Sequence, residues 1–160
     1  MKQERIVMTR KASDNKYLHR DFHITLNILL EYIEKQFGKE AVIQYLAQYA
    51  KTYYQPLHEQ LIAGNMAALL DYLMQIYQKE EWSVRIHTSE NIIELQQDAC
   101  PGMSHIKASG NLPYSYYVET YRIVYETLCE DTPFHYELQH FDPETGACAQ
   151  LFTKKEEEKQ

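Results

Sequence analysis

The chain has 160 residues, the usual size of one domain, and 44% of them are hydrophobic, enough for a packed interior. A formal charge of −7, with Lys and Arg scattered along the chain, argues against binding a nucleic-acid backbone. No apolar run approaches the ~20 residues of a membrane span, the start MKQERIVMTRK lacks a signal-peptide core, and three cysteines without a close pair argue against a disulfide framework. A reduced, cytoplasmic protein with no nucleic-acid or membrane partner is expected.

After a polar leader over 1–15, KYLHRDFHITLNILLEYIEKQFG places Phe22, Leu26, Leu29, Leu30, Ile33 and Phe37 at helical spacing, closed by Gly38. KEAVIQYLAQYAKTYYQPLHEQLIAG continues with Val42, Leu46, Tyr49, Ala50, Tyr53, Leu57 and Leu61, and Pro56 should kink or split that helix. Asn65 can cap the next helix, MAALLDYLMQIYQKE. The period then changes. Trp82, Val84 and Ile86 alternate with polar residues, a TSEN turn follows, and Ile92 to Leu95 complete a hairpin. DACPGMSHIKASG reads as a loop at the strand end. LPYSYYVETYRIVYETLCE returns to helical spacing through Tyr117, Tyr121, Val124, Tyr125 and Leu128. FHYELQHF and ACAQLF form a last hairpin about a DPETG turn, where Pro fixes φ and Gly admits the left-handed residue. The charged tail covers 153–160. This order predicts a single α+β domain over 1–160: an antiparallel sheet of about four strands, in two hairpins, packed against a mainly helical N-terminal half and one later helix.

Fourteen tyrosines are the unusual term in the composition. They suit a semi-polar cavity or an interface, and equally a core whose hydroxyls reach the surface. Cys100 begins the loop after a strand, where a rigid scaffold can present a reactive thiol, and His105 is the nearest imidazole in sequence. Cys129 closes a helix on its apolar side, and Cys148 follows the last turn on a strand that can face the core. His19 and His23, four apart, share a helix face and could hold a transition metal given a third ligand, although the Glu of an HExxH motif is missing. On the third strand His135, Glu137 and Gln139 share one face, and Tyr136, Leu138 and His140 the other. A core-facing His140 would be a buried polar group and so a site candidate. No Gly-rich phosphate loop and no GxSxG elbow occurs, so no cofactor is expected.

The ACPGMSHI loop, the helix ending in LCE, the terminal FDPETGACAQLF and the early FGKEAVIQYLAQYAKTYYQPL together resemble the L-2-amino-thiazoline-4-carboxylic acid hydrolase family over roughly 16–152. The late arrangement of cysteine loop, helix and cysteine-bearing hairpin is similar, more loosely, to 4-vinyl reductase-type small-molecule-binding domains. The first resemblance implies opening of a cyclic amidine, such as 2-amino-thiazoline-4-carboxylate, to N-carbamoyl-cysteine. That chemistry needs a base or nucleophile, for which Cys100, His105 and His140 are the candidates, and either a water-mediated or a covalent route meets it. It also needs donors around the amidine and the carboxylate, for which Tyr117, Tyr121, Arg122 and Cys148 are the candidates. The alternatives are a non-enzymatic binding or sensor domain for a small ligand, and a metal-dependent variant using His19 and His23. The small size and aromatic helices fit a homodimer.

Overall fold

The computed structural model describes residues 19–155, and the side chains of 22–155. The polar leader, the side chain of His19 and the end of the charged tail lie outside the described residues. The helical half begins with α1 (His19–Phe37) and α2 (Lys39–Tyr53), separated by Gly38. Leu26 and Leu30 on α1 meet Val42, Leu46 and Ala50 on α2, the i, i+4 spacing that puts side chains on one face. Pro56 divides the next segment as expected. It has no N–H to donate to the preceding turn, so α2 stops and α3 (Gln55–Ile62) starts with proline in its first turn. Asn65 caps α4 (Met66–Lys79), its Oδ1 accepting from Ala68 N–H at 3.2 Å.

Four strands follow: β1 (Arg85–Ser89), β2 (Ile92–Gln97), β3 (Phe134–Phe141) and β4 (Cys148–Lys154). They form one antiparallel sheet in the order β1-β2-β4-β3, so β2 and β4 join the two hairpins at the centre. The fold is α+β. Alternation puts Ile93, Leu95 and Gln97 of β2 and Cys148, Gln150 and Phe152 of β4 on the inward face. There Phe134 and Phe152, both fully buried, pack with Leu61, Leu69 and Leu73 from the helices. Burial of each ring is worth roughly 1.5–3 kcal/mol. No helix among the described residues is long and apolar enough to cross a membrane.

Between the hairpins lie α5 (Pro101–Ala108) and α6 (Glu119–Cys129). Buried Asn27 of α1 holds the connection between them, donating to Leu112 O at 3.0 Å and accepting from Tyr114 N–H at 2.7 Å.

Three expectations are corrected. The segment after Cys100 is a helix, because Pro101 at its first position supplies the φ that opens one. The first strand starts at Arg85, because Trp82 N–H closes the end of α4 on Tyr77 O at 3.1 Å. His140 is exposed rather than core-facing. A register shift between Leu138 and His140 reverses the alternation, so Phe141 pairs with Cys148 and packs inward in its place.

Candidate functional site

Cys100 is the N-cap of α5, and the DPETG turn lies against it. Asp142 organises that turn, accepting from Glu144 N–H at 2.8 Å and from the Thr145 hydroxyl at 2.7 Å. These bonds favour the carboxylate, so Asp142 sits below its ordinary acid range. The turn is stitched to the cysteine, because Cys100 N–H donates to Thr145 O at 2.9 Å and Lys107 Nζ donates to Glu144 O. Gly146 is required there twice over. Its φ is +70°, and a Cβ would lie 2.4 Å from that of Cys100. The Cys-Pro pair and the DPETGAC run, which carry the sharpest part of the sequence resemblance, therefore meet in space.

Cys100 is 2% exposed, and its sulfur is surrounded by donors. Tyr121 donates its hydroxyl proton at 3.0 Å, and Met103 N–H points at the sulfur from 3.4 Å. Gly102 N–H and the Tyr117 hydroxyl add to these. Burial dominates and pushes the thiol above its ordinary value, while the donors pull it back. At neutral pH the group is a thiol already set among partners for a negative charge.

Above Cys100 opens a cavity of about 130 Å³. Its wall carries seven tyrosines, 49, 54, 72, 77, 117, 121 and 125, with Phe22, His23, Glu80 and Gly102. Burial holds the Tyr117, Tyr121 and Tyr125 phenols well above their usual range, so they remain donors at neutral pH. His23 Nε2 meets Glu80 Oε1 at 3.0 Å, with side-chain exposures of 13% and 7%. A carboxylate accepts, so Nε2 is the donor in this contact and the ring is oriented by it. Nδ1 faces the start of α5: a Cβ on Gly102 would lie 2.6 Å from it and 2.4 Å from Tyr117 Oη. Glycine is what lets imidazole, phenol and backbone converge beside Cys100.

Of the residues singled out in the sequence, the structure brings together Cys100, Tyr117, Tyr121 and His23. His105 is half-buried one turn further along α5 and does not line the cavity. His140 is displaced outward by the bulge. Arg122 turns away from the cavity to Glu119 Oε2 at 2.5 Å and Glu126 Oε2 at 3.3 Å, held by i, i+3 and i, i+4 spacing. Cys148 lies in the core below, accepting from Gln150 Nε2 at 3.3 Å. No group of three His, Cys, Asp or Glu side chains among the described residues is placed to hold a metal ion. Sequence reading missed the pairing of His23 with Glu80. Fifty-seven residues separate the two, and no local spacing marks them.

Compared with known proteins, the chain matches no family model and no curated protein.

Proposed function

We propose that the chain is a small-molecule hydrolase with Cys100 as nucleophile and His23, oriented by Glu80, as base. Its substrate class is a small cyclic amidine such as 2-amino-thiazoline-4-carboxylate. The observation that carries this reading is Cys100 in the wall of the cavity, its sulfur ringed by donors, with an oriented imidazole in the same lining.

The chemistry balances over two steps. His23 takes the thiol proton as the sulfur attacks the ring carbon between nitrogen and sulfur. The ring C–S bond breaks, and the substrate thiolate leaves with that proton. The resulting isothiourea joins Cys100 to the substrate carbon. Water, deprotonated by His23, then displaces Cys100 and leaves N-carbamoyl-cysteine, so one water is consumed. Tyr117, Tyr121 and the first N–H groups of α5 face the charge that develops.

Thiol release from 2-amino-thiazoline-4-carboxylate, followed with a chromogenic disulfide, tests the reading. Cys100→Ser should lower the rate at least about a thousandfold, and the intact mass of briefly reacted wild type should show the adduct. No thiol release from wild type overturns the named substrate. Full turnover by Cys100→Ser with loss in His23→Ala would move the chemistry to a directly activated water. A second reading, a non-catalytic binding module, is favoured by the raised Cys100 thiol and the largely aromatic wall. It predicts saturable binding of the thiazoline with no thiol released.

A further inference from the structure

We propose that Gln97 is a positioning residue of this site: its amide fixes the hydroxyl proton of Tyr121 on the sulfur of Cys100. The inference rests on the reading of Cys100 as nucleophile.

Gln97 is 3% exposed at the end of β2, where an inward strand position would ordinarily be apolar. Its amide has one orientation available. Gly146 O is a backbone carbonyl and can only accept, and it lies 2.9 Å from the Gln97 nitrogen, so Nε2 must face it. Oε1 then faces Tyr77, whose hydroxyl donates to it at 2.5 Å. The second Nε2 proton goes to Tyr121 Oη at 3.0 Å. With its oxygen occupied as an acceptor, Tyr121 has one proton left to give, and it gives it to Cys100 Sγ at 3.0 Å. The polarity of a relay from Tyr77 through Gln97 and Tyr121 to the sulfur is thus set by one main-chain carbonyl. It is the carbonyl of the glycine that packs against Cys100.

A glutamine serving only to fill space would have no effect on the thiol. A glutamine that directs a proton would change its ionisation. Replacement by Met keeps the volume, yet it removes the N–H that holds the Tyr121 oxygen as an acceptor and the oxygen that receives the Tyr77 proton. The titratable groups around the sulfur are Tyr117 and Tyr121 beside it, Tyr77 from α4, Cys148 from β4, and the His23 and Glu80 pair across Gly102.

The test is a double-mutant cycle read on the thiol itself. In full-length protein labelled with [3-13C]cysteine, the Cys100 Cβ shift is followed against pH and assigned by its loss in Cys100→Ser. Tyr121→Phe should lower the thiolate fraction at a given pH by about tenfold, the worth of one hydrogen bond to a charged group. Gln97→Met should lower it by about three- to tenfold, and should add nothing once Tyr121 is Phe. Gln97→Glu, which keeps the shape and offers only acceptors when ionised, should lower it further, with part of that loss absent in the Tyr121→Phe background. An unchanged titration in Gln97→Met, or effects that multiply in the double variants, overturns the role. The readout is ionisation, not turnover. A protein that never opens a thiazoline ring still passes or fails it, and a working hydrolase with an unmoved titration refutes Gln97 alone.

Discussion

Cys100 and Cys129 are buried almost equally, at 2% and 4% exposure, yet they occupy opposite electrostatic settings. Cys100 stands at the N-terminus of α5, where unpaired N–H groups and the helix dipole favour negative charge. Cys129 ends α6, where the dipole has the other sign. At Cys129 burial is opposed only by the charge of Lys155, and the thiol is pushed up to about 12. At Cys100 two phenols and two backbone N–H groups oppose the same penalty. Burial alone makes a cysteine a small hydrophobe. Burial with donors aimed at the sulfur makes a place for an anion, and the surroundings rather than the depth tell the two regions apart.

The strongest way to break the contrast is to fill the space the DPETG turn leaves for Cys100. Gly146→Ala adds a methyl group 2.4 Å from the Cys100 Cβ and 2.7 Å from Met103 Sδ, at a left-handed φ. The expected loss is roughly 2–5 kcal/mol from strain and overpacking together, with a melting temperature about 5–15 °C lower by calorimetry. Gly110→Ala shares the sign of φ but meets nothing within 4 Å, and should cost only about 1 kcal/mol. Equal effects would mean that the turn is not packed rigidly on the cysteine.

An alkaline titration sharpens the contrast at somewhat smaller scale. Cys129 and Cys148 rise from an ordinary value of 9.0 to about 12 on folding. The native state therefore keeps its proton where the unfolded chain has lost it. Their contribution is complete below pH about 9 and is lost as pH rises through about 12. Each is on the order of a few kcal/mol. Urea unfolding across that window should show stability falling with pH, and Cys129→Ala should flatten the fall. Cys100→Ala should flatten it less, because the donors already offset much of its burial. A larger flattening at Cys100 would invert the comparison.

Much of this was legible in the chain. Period 3.6 marked α1 to α4, Pro56 marked the break, Asn65 the cap, and Asp142 with Gly146 the last turn, because each is a local choice with a local cause. The helix α5 was hidden because Pro-Gly reads as a turn, and because a cysteine stands where Ser, Thr, Asp or Asn would announce an N-cap. Strict alternation puts His140 on the face of Tyr136 and Leu138. A bulge at one residue reverses every position after it and leaves no mark in composition. Cys100 could be picked from its loop, but its partners His23, Glu80 and Gln97 come from α1, the end of α4 and β2. Their convergence belongs to the tertiary fold, and single-sequence spacing does not encode it.

The smallest expected effect separates function from stability most cleanly. Serine is a better N-cap than cysteine, and at position 100 its hydroxyl inherits the N–H of Met103 and the Tyr121 donor. Cys100→Ser should thus change stability by less than ~1 kcal/mol, and can raise it. At position 129 no such donors wait, and a buried hydroxyl finds at best the carbonyl of its own helix. Cys129→Ser should cost about 1–3 kcal/mol. Paired urea unfolding curves at pH 7 measure both. If serine at 100 is the more damaging of the two, the donors around that sulfur are not positioned to receive an oxygen. If serine at 100 is neutral in stability and inactive toward the thiazoline, the chain keeps cysteine at its N-cap against the preference of the helix, and the reason for it is chemical.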